Sequence, residues 1–143
     1  MRKSSILIFT FSILFLTFTF QSLLEQKRGE KFYFTTYVVK VIDGDTLKTR
    51  NGVIRLSLID APDKNEKGYE KAKKFVENLC LNREIVVDID DFQVKDNYGR
   101  WVAKVYCKGK NLNEELIENG LAKIIKNFCS KSEFANEKWT GCY

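Results

Sequence analysis

A chain of 143 residues has room for one domain of ordinary size and little more. It carries 24 Lys and Arg against 19 Asp and Glu and no histidine, which excludes imidazole acid–base chemistry and histidine-ligated metal sites. Over residues 30–143 the balance is only 20 basic against 18 acidic, so attraction to a polyanion has to come from local clustering rather than bulk charge.

The first element is apolar. Ser4 to Leu24 is an uncharged run of 21 residues behind Arg2 and Lys3. A helix of that length crosses about 30 Å of hydrocarbon, and a basic start is typical of export signals. Two exported readings stand, a cleaved signal peptide and a membrane anchor over residues 4–24. The segment Gln21-Ser22-Leu23-Leu24-Glu25 offers no small-residue cleavage site, which favours the anchor. Residues 1–29 are therefore set apart as a leader, and residues 30–143 as one domain that is exported, at the cell surface or secreted.

Phe32 to Ile42 is rich in Tyr, Phe, Val and Thr, which predicts a strand whose aromatic beginning packs in the core. The strand ends in the turn-forming Asp43-Gly44-Asp45, and Thr46 to Arg50 reads as a second strand. Asn51-Gly52 is a hairpin signal, after which Val53 to Ile59 alternates as a third strand. Its two faces carry Arg55, Ser57 and Ile59 on one side and Ile54, Leu56 and Leu58 on the other. The chain's single proline, Pro62, closes this meander, and Lys64 to Gly68 is a polar loop.

From Tyr69 to Leu79, Ala72, Phe75, Val76 and Leu79 fall at the spacing of an amphipathic helix. Strands follow at Glu84 to Ile89 and Arg100 to Tyr106. Asn111-Leu112-Asn113-Glu114 resembles a capping box, opening a short helix that ends at Gly120. Ser130 to Trp139 reads as a third helix. Three strands, a helix and two more strands is the order of a five-stranded OB-type barrel with about three short helices.

All four cysteines, Cys80, Cys107, Cys129 and Cys142, follow the apolar run. Antiparallel pairing of the fourth and fifth strands brings Cys80 near Cys107, and Cys129 and Cys142 bracket the last helix, so these two disulfides are the expected pairing. A four-cysteine zinc site is the rival, weakened by the lack of any C-x-x-C spacing.

Asp45, Arg55, Asp60, Asp63 and Arg100 each stand beside a strand or turn signal. Carboxylates hold a hard oxygen-seeking cation and orient water, while guanidiniums neutralise charge building on phosphorus through two parallel hydrogen bonds. Each also has a plainer reading: Asp43, Asp45 and Asp60 as turn formers, Arg55 and Arg100 as solvated strand residues.

Val41-Ile42-Asp43-Gly44-Asp45-Thr46, then Arg55-Leu56-Ser57-Leu58-Ile59-Asp60-Ala61-Pro62, then Asp96-Asn97-Tyr98-Gly99-Arg100, together resemble the staphylococcal nuclease (thermonuclease) family. Asn113-Glu114 and Asn119-Gly120-Leu121-Ala122-Lys123 extend the resemblance. It implies an OB-fold, calcium-dependent endonuclease that acts on DNA and RNA and leaves 3′-phosphate ends. By that resemblance Asp45 and Asp60 supply calcium carboxylates and Ala61 a carbonyl. Arg55 and Arg100 bind the scissile phosphate, Tyr98 contacts a terminal phosphate, and Asp63 is the general base.

The departures matter. Asp63 stands where the family has glutamate, one methylene shorter, leaving four readings open: the Lys64–Gly68 loop brings Asp63 closer, water is held more loosely, Glu66 substitutes, or activity is poor. Ala61 replaces a hydroxyl-bearing residue, and Lys126 and Phe128 replace tyrosines that flank a base, so stacking is expected to weaken and Lys126 to reach a phosphate. The rival function is a catalytically weak binding module that holds single-stranded nucleic acid on the same barrel. A monomer is expected.

Overall fold

The computed structural model describes residues 32–143, so the leader and the choice between signal peptide and anchor lie outside the described residues. Strands β1 (Tyr33–Asp43), β2 (Thr46–Thr49) and β3 (Gly52–Leu56) form the expected antiparallel meander. β1 is long enough to serve two neighbours. Its first half pairs β5 (Glu84–Ile89), and its second half pairs β2 after irregularities at Val38/Lys40 and Val41/Asp43. Bulges of this kind bend a strand and let a sheet curl. β6 (Trp101–Cys107) pairs β5 antiparallel on one side and meets β3 in parallel on the other, which closes a five-stranded barrel.

Two glycines carry the turns of the meander. Gly52 has φ +129°, and a Cβ there would stand 3.3 Å from Trp101 Nε1. At Gly44 the constraint is space: a Cβ would lie 2.7 Å from that of Ala61 and 2.8 Å from that of Ala72, so the turn before Asp45 is pressed onto both.

Helix α1 (Tyr69–Cys80) buries Ala72, Val76 and Cys80 and packs Phe75 and Leu79 against the core, which is the stripe its sequence spacing predicts. Leu47, Ile54, Leu56, Ile85, Val87, Ile89 and Val105 meet it from the strands. Each such side chain contributes about 1.5–3 kcal/mol on full burial. Helix α2 (Leu112–Glu118) is capped by Asn111, whose side chain accepts from the backbone N–H of Asn113 and Glu114. Both disulfides are formed, Cys80–Cys107 with Cα atoms 5.4 Å apart and Cys129–Cys142 at 5.7 Å.

Three expectations take a different form. The third strand does not run through to Ile59. It stops at Leu56, turns through Ser57 and Leu58 (φ +65°), and resumes as β4 (Ile59–Asp60), which pairs β7 (Lys123–Ile124). The turn shifts the alternation by one, so Ile59 rather than Leu58 joins the central core. The segment expected as a third helix is a succession of 3₁₀ turns, Lys126–Lys131, Glu133–Asn136 and Lys138–Thr140, with Ser132 rather than Ser130 capping Phe134. The Cys129–Cys142 link and the burial of Phe134 and Thr140 fold it back on itself. The aromatic start of β1 is only partly core: Phe34 and Tyr37 are half-buried, while Phe32 and Tyr33 are exposed.

Candidate active site

The Ser57–Leu58 turn creates the site. Ser57 N–H donates to the Ala103 carbonyl at 2.7 Å and its hydroxyl to Asp90 at 2.8 Å, while buried Asn113 donates to the Ser57 carbonyl at 2.9 Å. With the chain clamped there, Leu58 at positive φ turns it out of β3 and into β4. Arg55 can then reach forward: its Nη1 donates to the carbonyls of Leu56 at 3.1 Å and Ile59 at 2.7 Å, and its Nη2 lies 3.1 Å from Asp60 Oδ1.

The same Nη2 lies 3.1 Å from Asp45 Oδ2, so one guanidinium nitrogen bridges two carboxylates, one from the β1–β2 turn and one from β4. Asp45 is 6% exposed. It accepts the Ala61 N–H at 2.7 Å on Oδ2 and the Thr46 hydroxyl at 3.0 Å on Oδ1. Burial raises its pKa from the ordinary 3.8 to about 6, only partly opposed by the charge of Arg55 and the Ala61 N–H. Asp60 is its counterpart in water, with a side chain 68% exposed. The cluster is thus fixed on the Asp45 side and open on the Asp60 side.

Arg100 is held separately. Asp96 accepts from Arg100 Nε at 2.6 Å and from the backbone N–H groups of Tyr98 and Arg100. Burial of Asp96 acts to raise its pKa, but these bonds and the guanidinium charge outweigh it and hold the carboxyl below its usual range. The Arg100 guanidinium stands 5.2 Å from the centre of the Tyr98 ring. Arg55, Arg100 and Tyr98 line one cavity of about 270 Å³, with Phe128 among its other walls. Phe128 therefore supplies an aromatic surface beside the two arginines. Lys126 instead donates to the Gly141 carbonyl, tying together the segment that the Cys129–Cys142 disulfide closes.

A second cleft, of about 410 Å³, is lined by Asp60, Ala61, Glu66 and Lys123 among others. Asp63 is exposed and does not line it. The chain turns between the two: Glu66 N–H donates to the Asp63 carbonyl at 2.9 Å, and Glu66 Oε2 accepts the Asp63 N–H at 2.8 Å. This turn carries the Glu66 carboxylate into the cleft that Asp60 edges. Sequence reasoning gave Asp96 and Asn113 no role. An Asx-type turn signal in Asp96-Asn97-Tyr98-Gly99 points to the first, whereas no local pattern marks the second.

As a donor set, Asp45, Asp60 and the Ala61 carbonyl are hard oxygens on one side of the barrel, and two carboxylates bridged by a single cationic nitrogen suit a divalent ion. Among the described residues no group of three or more acidic or cysteine side chains is gathered for a metal, so the protein's share here is two carboxylates and a carbonyl. The donor chemistry fits calcium.

The sequence model of the Staphylococcal nuclease homologue family matches residues 53–139. An uncharacterized protein of Methanocaldococcus jannaschii is 34% identical over 131 residues, covering 69% of this chain and 63% of its own length. An uncharacterized endonuclease of Haemophilus influenzae is 33% identical over 99 residues, covering 66% and 54%, and Endonuclease YncB of Bacillus subtilis is 29% identical over 116 residues, covering 70% and 55%. The chain thus spans between half and two thirds of the length of these relatives. The family match takes in Arg55, the turn that presents Asp60, the Arg100 wall and the 3₁₀ segment bearing Phe128, and with the closed barrel it makes this chain a member of the staphylococcal nuclease homologue family.

Proposed function

We propose that this domain is a calcium-dependent endonuclease that hydrolyses phosphodiester bonds of DNA and RNA and leaves 3′-phosphate ends. The observation that carries the reading is the Arg55 nitrogen bridging Asp45 and Asp60 at the edge of a cavity that Arg100 and Tyr98 also line. Asp45, Asp60 and the Ala61 carbonyl would hold calcium, which when bound polarises the phosphate and lowers the pKa of its water.

The protein's own groups supply the rest. Arg55 is fixed by two carbonyls and two carboxylates, and Arg100 by Asp96, so both are oriented before substrate arrives and cost no reorganisation as negative charge grows on phosphate oxygens. Tyr98, 85% exposed, is free to meet a terminal phosphate. Asp63 is the base that the family resemblance implies. The cleft position of Glu66 favours Glu66 as the carboxylate that orients water, with Asp63 holding the turn.

The wider reading places the protein outside the cell as a monomer, tethered through residues 4–24 where the leader is retained. Two formed disulfides support an oxidising compartment.

The test is plasmid nicking by the full chain with calcium and then with excess chelator. Cleavage should require calcium, fall ~10²–10³-fold in Arg100→Ala, and give 3′ ends that accept label only after phosphatase treatment. Undiminished cutting in chelator rejects the metal, and tight binding without cutting makes the chain a binding module instead.

A further inference from the structure

Asp88 on β5 and Lys104 on β6 are direct cross-strand partners. Both are sealed from water, Asp88 at 0% exposure and Lys104 at 3%. Lys104 Nζ stands 3.2 Å from Asp88 Oδ2 without the alignment of a hydrogen bond, and among the described residues the two Asp88 oxygens are the buried side-chain polar atoms left without a hydrogen-bond partner. The short contact of Lys104 is instead to Glu137 Oε1, at 2.5 Å. Glu137 is held in turn by Trp139 Nε1 on its other oxygen, and the rings of Phe134 and Tyr106 lie 4.3 and 5.6 Å from Lys104 Nζ.

A buried amine and a buried carboxyl side by side, with an acid–base carboxylate at the edge of the enclosure, are the reactants and catalyst of amide formation. We propose that Lys104 and Asp88 join in an isopeptide bond, with Glu137 as the proton carrier, so that β5 and β6 are covalently cross-linked inside the barrel wall.

The step balances without any outside reagent. Lys104 Nζ attacks Asp88 Cγ; the Nζ–Cγ bond forms and one Cγ–O bond breaks. The ammonium gives up two protons, which leave with the departing oxygen as water, so a cation and an anion become a neutral amide. Glu137 Oε1 takes the first proton along the 2.5 Å contact and returns it to the leaving oxygen.

Burial drives the exchange because it disfavours both charged reactants and leaves a neutral product undisturbed. Fixed proximity raises the effective concentration of amine and carboxyl far above any solution value. In the ion-paired state burial pulls the Lys104 pKa down, but the bond and charge of Glu137 outweigh it and keep the amine protonated above its usual range. Transfer to Glu137 is therefore the step that frees the nitrogen lone pair. The amide also resolves the poorly served carboxylate of Asp88, which a simple ion pair leaves as it is.

The experiment is peptide mass mapping of the full chain after denaturation, reduction, alkylation and trypsin. It is independent of the nuclease reading and of the fate of the leader. A cross-linked chain is not cut after Lys104, and residues 84–95 are recovered joined to residues 101–108, lighter than their sum by one water, about 18 Da. Lys104→Arg abolishes the branched peptide, and Glu137→Gln slows or abolishes it while both disulfides still form. Separate, unshifted peptides from the wild-type chain overturn the proposal. A branched peptide that survives Lys104→Arg places the link elsewhere and does so too, and full-rate formation in Glu137→Gln removes Glu137 from the step.

Discussion

Two clusters in this barrel share a composition, one cation between two carboxylates, and differ in surroundings. Asp45–Arg55–Asp60 is buried at one end and open to water at the other. Asp88–Lys104–Glu137 closes over its cation almost completely. Arginine suits the first because it keeps its charge at any ordinary pH and offers a planar fork to incoming oxygens. Lysine in the second has a nitrogen that becomes a nucleophile once a neighbour takes its proton. The open cluster is placed to receive a ligand, the closed one to act on itself and so hold its two strands together.

Removing each cation should separate these roles. Lys104→Met removes the cross-link and leaves a buried Asp88 carboxylate with no cation beside it, and a loss of about 3–5 kcal/mol is expected in denaturant unfolding. Arg55→Met should cost less, roughly 1–3 kcal/mol, since Asp60 faces water and Asp45 already binds its proton tightly. Equal losses would erase the distinction.

Beside the open cluster, the Asp63–Glu66 turn should give the next largest effect. Glu66→Gln should lower cleavage by about 10² and Asp63→Asn by well under tenfold, as measured by kcat on a short oligonucleotide. The reverse order would return the base role to Asp63.

The mildest test is pH. Asp45 has a folded pKa near 6 against an ordinary 3.8, so the folded state binds this proton more tightly than the unfolded one. The stability it lends the cation-free fold is present below about 3.8 and is lost as pH rises to about 6. If Asp45 holds calcium as proposed, affinity should run the other way, weakening about tenfold per pH unit below about 6, because ion and proton compete for the carboxylate. Calcium titrations near pH 5 and pH 7 that give one affinity would show that Asp45 does not hold the ion.

Most of the barrel was legible because its elements obey local rules. Strand β5 and helix α1 follow the periods that side-chain direction imposes, and the Asn51-Gly52 turn is chemically marked. The break at Leu58 was not legible, since a leucine with positive φ is imposed by the Ser57 clamp from Ala103, Asp90 and Asn113, all distant in sequence. That the last helical segment takes 3₁₀ form was not legible for a similar reason: residues 126–140 are shaped by a disulfide and by docking of Phe134 rather than by their own periodicity.

Within the site, Asp45, Arg55, Asp60 and Arg100 stood out through turn signals and family resemblance. The entry of Glu66 into the cleft depends on a turn in a loop without periodicity. Lys104 gave no sign at all, because β6 is buried along most of its length and a lysine there reads as an exposed residue.

The parallel seam between β3 and β6 pairs Ile54, Arg55 and Leu56 with Trp101, Val102 and Ala103. A nascent chain thus carries Arg55 for several seconds, at about 5–20 residues added per second, before the strand that closes the wall has been synthesised. Throughout that interval the second arginine is missing and the Ser57 clamp has no Ala103 to grip. A half-made polypeptide therefore has no assembled site: the order in which residues leave the ribosome delays the meeting of its two arginine-bearing walls.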